Sequence, residues 1–178
     1  MRHVVILVGA AIAALLVWLA ANGEPVGNQD VQAKIRIGTY DNRAIAVAYA
    51  ASKWNPVREK MAEYAQAKKA GDAAKQKELE AWGEEKQRLL HFQGFGRVPV
   101  GELLKPFEKQ IAKLAADQQL SAIAMQCDYV APNVEIVDVT EELVKLFEPT
   151  PRTLEMTRQV KDAKPVSLIE LADMPAKM

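Results

Sequence analysis

The chain has 178 residues, enough for one modest domain with appendages. Its 23 Lys and Arg balance 23 Asp and Glu, which excludes the strong basic field of a nucleic-acid binder. A single Cys excludes an intramolecular disulfide and any cysteine-based zinc cluster.

The N-terminus, MRHVVILVGAAIAALLVWLAANGEP, sets Arg2 before an apolar run from Val4 to Ala21, followed by small and polar residues. As a helix that run measures about 27 Å at ~1.5 Å per residue, against a bilayer core of ~30 Å. Residues 1–23 therefore read as a signal peptide, with ANG before Glu24 as the cleavage signal, or as a retained N-terminal membrane anchor. Either way the remainder is expected to be exported. Residues 24–33, with Pro25 and Gly27 among polar neighbours, read as a linker.

The segment 34–40, KIRIGTY, puts Ile35 and Ile37 on one face of a predicted strand. Asp41 or Asn42 caps the alanine-rich helix that follows, in which Ile45 and Tyr49 stand at i, i+4. A helical insertion is predicted over 53–119. Its first helix starts at Pro56, carries Val57, Met61 and Tyr64 at helical spacing, and ends at Gly71. Asp72 caps the second, whose stripe is Leu79, Trp82 and Leu89. QGFGRVPVG, Gln93 to Gly101, breaks the pattern, and Leu104, Phe107, Ile111 and Leu114 mark a third amphipathic helix. The narrow apolar stripes suit antiparallel hairpins or coiled-coil-like packing.

Two strands are predicted next, over 121–130 and 134–139. Alternation places Ile123, Met125, Cys127 and Tyr129 on one face of the first, and APN at 131–133 supplies turn chemistry between them. Thr140 is the expected N-cap of a helix with Leu143, Leu146 and Phe147 inside and Pro149 as its stop. The tail, 148–178, holds a helix over Arg152 to Lys161 and a last turn capped by Ser167.

Two blocks resemble the OmpH/Skp-like periplasmic chaperones. KIRIGTYDNRAIAVAYAAS, Lys34 to Ser52, is similar to that family's opening strand and short helix. LAADQQLSAIAMQCDYVAPNVEIVDVTEELVKLF, Leu114 to Phe147, is similar to its returning helix, closing strands and last-helix start, the latter matched by Asp138, Val139 and Thr140. The likeness covers 34–147 and implies a trimer whose strands join in a small sheet body, with helical arms that enclose unfolded outer-membrane proteins without ATP. It implies periplasmic or cell-envelope location. Three features depart from the family: short arms interrupted at Gly94, Gly96 and Pro99, a neutral chain where the classical members are basic, and the tail after Phe147.

Sharper chemistry finds little support. Cys127 as a nucleophile needs a base, and His91, the one histidine outside the leader, lies in the helical insertion; a mid-strand core thiol, or an intermolecular disulfide, fits better. Asp128, Glu135, Asp138, Glu141 and Glu142 lack the oxygen spacing of a calcium loop. GFGRVPVG lacks the Lys-Ser/Thr ending of a phosphate loop and reads as a hinge.

The expectation is thus an α+β fold, a small antiparallel sheet with a projecting helical hairpin. It is a binding protein and not an enzyme, with no cofactor, metal or nucleic acid. Trp54, Tyr64, Trp82, Phe92 and Phe95 are the candidate client-binding residues. Ile35, Ile37, Ile123, Met125, Cys127 and Ile136 are the candidate oligomer interface. The alternative is a membrane-anchored structural or adaptor protein of the envelope that binds one folded partner.

Overall fold

The computed structural model describes residues 34–173; the predicted leader and linker lie outside them. Strand β1 (Ile35–Thr39) runs into helix α1 (Asn42–Ala50). A hairpin follows, α2 (Val57–Ala70) and α3 (Ala73–Phe95), then the short α4 (Gly101–Leu104), a 3-10 turn at Lys105–Phe107 and α5 (Glu108–Asp117). Strands β2 (Ala122–Ala124) and β3 (Val134–Asp138) precede α6 (Thr140–Lys145), α7 (Pro151–Asp162) and α8 (Leu168–Ala172).

The fold is α+β, but the sheet is parallel where an antiparallel one was expected. Its order is β2–β1–β3, with Ile37 beside Ala122 on one side and beside Ile136 on the other. The two late strands never pair with each other, so the turn at 131–133 closes no hairpin. An extended chain advances ~3.3 Å per residue, so 125–133 reaches about 30 Å, ample to run back along β3's length and cross to the far edge of β1. The second strand also stops at Ala124 instead of continuing to residue 130. Its only partner among the described residues, β1, ends at Thr39 and turns into α1, and the last bond is Tyr40 N to the Ala124 carbonyl at 3.2 Å.

Alternation sorts the sheet faces. Arg36 and Gly38 point inward, where a side chain at Gly38 would come within 2.9–3.2 Å of Leu120, Ile123 and Val139; only glycine lets these three close over β1. Ile35 and Ile37 point outward beside Val134 and Ile136, their register partners.

Helix α1 is the centre of the body. Asp41 caps it by accepting from Arg43 N at 2.9 Å, and its alanines let neighbours approach from several sides: α3, α6 and α7 all pack on it. Around it lie Val100, Leu103, Phe107, Val139, Leu143, Val144 and Phe147, all buried. Each such large apolar side chain contributes roughly 1.5–3 kcal/mol by leaving water. Phe147 is the hub of an edge-to-face cluster, with ring centroids 4.8 Å from Phe107, 6.0 Å from Trp54 and 6.3 Å from Tyr49.

Two polar residues are enclosed with their partners. Asn42 Nδ2 donates to the carbonyls of Gln93 and Gly96, both at 2.8 Å, and so closes the end of α3. Arg43, 3% exposed, forms a two-bond pair with Asp41 (3.0 and 2.6 Å) and donates from Nη1 to the Ala163 carbonyl at 2.7 Å. That carbonyl lies at the C-terminal end of α7, where the helix dipole favours a cation. The tail is therefore built into the body. Val166 N also bonds the Phe95 carbonyl at 2.9 Å, and Leu171 is buried.

Thr140 does not cap its own helix. Val139 stands at the N-cap, Asp138 before it accepts from Thr140 N at 2.9 Å, and the Thr140 hydroxyl accepts from Asp41 N at 3.0 Å and joins the starts of α6 and α1. Helix α3 runs two residues beyond the start of the predicted break at Gln93, through to Phe95.

Candidate functional site

The hairpin leaves one face of its two helices open. Gly71, at φ 71°, takes the left-handed cap that ends α2, and Asp72 accepts from Lys75 N at 2.9 Å to start α3. A connection this short makes the two helices antiparallel neighbours. Along them the apolar residues recur every three or four positions, which lines them up on one side. Together with α1 they form a groove of about 640 Å³. Helix α1 contributes Ala46, Val47 and Ala50; α2 contributes Val57, Lys60, Met61 and Tyr64; α3 contributes Leu79, Glu80, Trp82, Gly83, Lys86, Leu90, His91 and Phe95 among others.

The groove is apolar with a few engaged polar groups. Lys60 pairs with Glu63 at 2.9 Å. The Tyr64 hydroxyl donates to Glu80 Oε1 at 2.7 Å; that bond, with some burial and the Glu80 charge, raises the Tyr64 pKa above its ordinary value. Lys86 Nζ stands 4.9 Å from the centroid of the Tyr49 ring, a cation over a π face. His91 tilts against Phe95 with centroids 5.7 Å apart. Met61 is 67% exposed and Phe95 44%, a large apolar surface offered to solvent on a chain of this size.

Of the five candidate client-binding residues, Tyr64, Trp82 and Phe95 line this groove. Trp54 packs instead on Phe107, 4.9 Å between centroids, as part of the core cluster. Phe92 is half-buried and is not among the lining residues. Met61, Leu79 and Leu90 line the groove as well. The helical spacing of Met61 and Leu79 was visible in the sequence, but not which stripe would stay uncovered. Leu90, rather than Leu89, continues the α3 stripe, and Leu89 is exposed.

The six candidate interface residues divide. Ile35, Ile37 and Ile136 share the outer sheet face, with Ile35 and Ile136 43% and 40% exposed. Ile123 lies on the inner face and packs against the core. Met125 and Cys127 follow β2 in a loop, so Cys127 is not the mid-strand thiol that alternation suggested; it is half-buried beside the C-terminal ends of the strands.

There it borders a shallow cleft of about 340 Å³ with Tyr40, Asp41, Arg97, Asp138 and Lys161. The charges in that cleft are already engaged: Asp41 with Arg43, Asp138 with Lys161, and Arg97 with the Gln126 side chain at 3.0 Å. His91 lies in the other groove, so it offers Cys127 no base. Among the described residues no three His, Cys, Asp or Glu side chains converge in a way that could hold a metal ion, and no helix is long and apolar enough to cross a membrane. No family model, curated protein or solved structure matches this chain.

Proposed function

We propose that this protein is an exported, ATP-independent binding protein of the Skp-like chaperone type, which holds apolar segments of unfolded or envelope proteins in the groove between α1, α2 and α3. The observation that carries the reading is the groove itself: apolar walls, a large opening, and exposed Met61 and Phe95 at its margin. Copies of the chain associate through the outer sheet face. What supports this part is the exposure of Ile35 and Ile136 on an all-parallel sheet, a kind that is nearly always covered on both faces.

In the test, residues 24–178 meet an outer-membrane protein diluted out of denaturant. Suppressed aggregation without ATP is expected, weakened at least several-fold by Met61→Glu. No suppression even in molar excess would sink the reading. Light scattering is expected to give a trimer; a stable monomer removes the assembly part alone.

The second reading, a membrane-anchored adaptor for one folded partner, draws its support from the hairpin's length. At ~1.5 Å per residue α2 and α3 are about 21 and 35 Å long, short for enclosing a whole unfolded chain. N-terminal sequencing of the exported protein separates the two, since a start near Glu24 removes the anchor.

A further inference from the structure

We infer that the groove takes its partner segment as an amphipathic helix, with an acidic residue of that helix set against Lys86. This rests on the groove being the binding site, and adds the form and charge of what enters it.

The walls decide the form. All three are α-helices, whose interior backbone N–H and C=O groups are used within each helix. An extended segment laid between them would find no backbone partners, and each buried unpaired N–H or C=O costs about 1–3 kcal/mol. A helix satisfies its own backbone and needs only side-chain contact. The two longer walls, on antiparallel helices, carry Val57, Met61 and Tyr64 at steps of four and three, and Leu79, Trp82 and Leu90 at steps of three and eight, about two helical turns. Such ridges accept the i, i+3, i+4, i+7 ridge of a third helix.

The floor has room for it. Gly83 lines the groove in the interior of α3, where a Cβ would meet nothing within 4 Å. A glycine there weakens the helix by about 0.5–1 kcal/mol relative to alanine, and no close packing requires it. Its effect is to keep the floor low.

Charge complementarity sets the partner's sign. Lys60 is matched by Glu63, and Glu80 accepts from Tyr64. Lys86 rests on the Tyr49 ring, with no carboxylate in ion-pair distance among the described residues. An acidic side chain on the docked helix supplies that carboxylate.

The test uses the full chain and two labelled synthetic peptides of one composition. One places Leu at i, i+3, i+4 and i+7 with a flanking Glu; the other alternates Leu and polar residues. Fluorescence anisotropy is expected to give at least tenfold tighter binding of the helical peptide. Gly83→Phe, which fills the floor, and Met61→Glu, at an exposed position, should each weaken it at least tenfold with the circular dichroism spectrum unchanged. Lys86→Glu should weaken it too, and a peptide with Glu replaced by Lys should recover the loss. Equal or tighter binding of the alternating peptide overturns the helical mode while leaving the groove as the site. Palmitate bound in a Gly83→Phe-sensitive manner, with neither peptide bound, overturns it in favour of an acyl chain. Peptide binding indifferent to both groove variants, or no binding of any probe, overturns the groove reading as well.

Discussion

Helix α1 buries every residue from Asn42 to Tyr49 except Val47, whereas α2 buries only Ala67 among its 14 residues. The two helices are near neighbours in sequence and both are rich in alanine. In α1 the alanines face other helices, and the polar residues Asn42 and Arg43 are enclosed with partners. In α2 the alanines mostly face water, and the larger apolar residues face a groove that nothing among the described residues fills. The body is thus held by many mutually dependent contacts, and the hairpin by few. Regions with few buried apolar contacts open first, so the part that offers a surface is also the part that can adjust to what it meets.

The sharpest way to break the contrast is Arg43→Ala. It leaves Asp41 without its ion pair and removes a bond that holds the end of α7, in a site only 3% exposed. Breaking a buried pair from one side costs about 3–5 kcal/mol, and a lowered urea midpoint for the whole body measures it. Arg43→Lys should recover little, since one ammonium cannot make both the forked pair and the carbonyl bond. The same region should respond as a unit: hydrogen exchange is expected to quicken in α1 and α7 together.

In the hairpin, the informative change is an improvement. Gly83→Ala is expected to stabilise α3 by about 0.5–1 kcal/mol, because alanine removes backbone freedom and meets no neighbour. If the hairpin is only loosely coupled to the body, that gain will slow exchange in α2 and α3 and barely move the global midpoint. A full shift of the midpoint would mean that the two regions unfold as one.

The smallest effect concerns Asp138. Burial pushes its carboxyl pKa up, but hydrogen bonds from Lys161 and Thr140 and the Lys161 charge outweigh this and hold it below the usual carboxylate value of 3.8. Its contribution is therefore present above about pH 4 and is lost as pH falls through the depressed value. Lys161 moves the other way. Its hydrogen bond to Asp138 raises it above 10.5 despite some desolvation, so its share is complete below that value and is lost as pH rises past the raised one. Both side chains are about half exposed, 48% and 45%, and solvent screening keeps the pair near 0.5–1 kcal/mol or less. Asp138→Asn keeps an acceptor for Thr140 N and removes only the charge. The difference between variant and parent should be greatest near neutral pH and vanish in acid, as chemical denaturation at several pH values would record.

What was legible in the sequence were signals that act within a few residues. Gly71, Asp72, Asp41 and Ser167 cap as read, the last with Glu170 in a reciprocal box, and the helix of the tail starts within one residue of its expected place. What was not legible depends on residues far apart. Alternation tells which residues of a strand share a face; it does not tell whether the partner runs parallel or where the partner ends, so the direction of the sheet and the length of β2 were both misread. Nor does the sequence around Arg43 reveal that its guanidinium is enclosed, because the carbonyl it reaches lies on Ala163. The groove was half visible: the stripes of α2 and α3 could be listed, but which one stays uncovered depends on where α1 and the tail come to rest.

The bond from Arg43 to Ala163 joins residues 120 positions apart, and β1 finds both its strand partners only after the whole helical insertion has been made. Contacts of such high sequence separation slow folding, since loop closure must precede any reward from them. Among the described residues, β1 and α1 consequently gain their last partners only as the C-terminal part of the chain emerges. A chain cut short before α7 would leave Arg43 without the Ala163 carbonyl and one side of α1 uncovered, which marks it out for proteolysis. Completion of the C-terminal segment thus acts as the checkpoint at which the molecule becomes a lasting one.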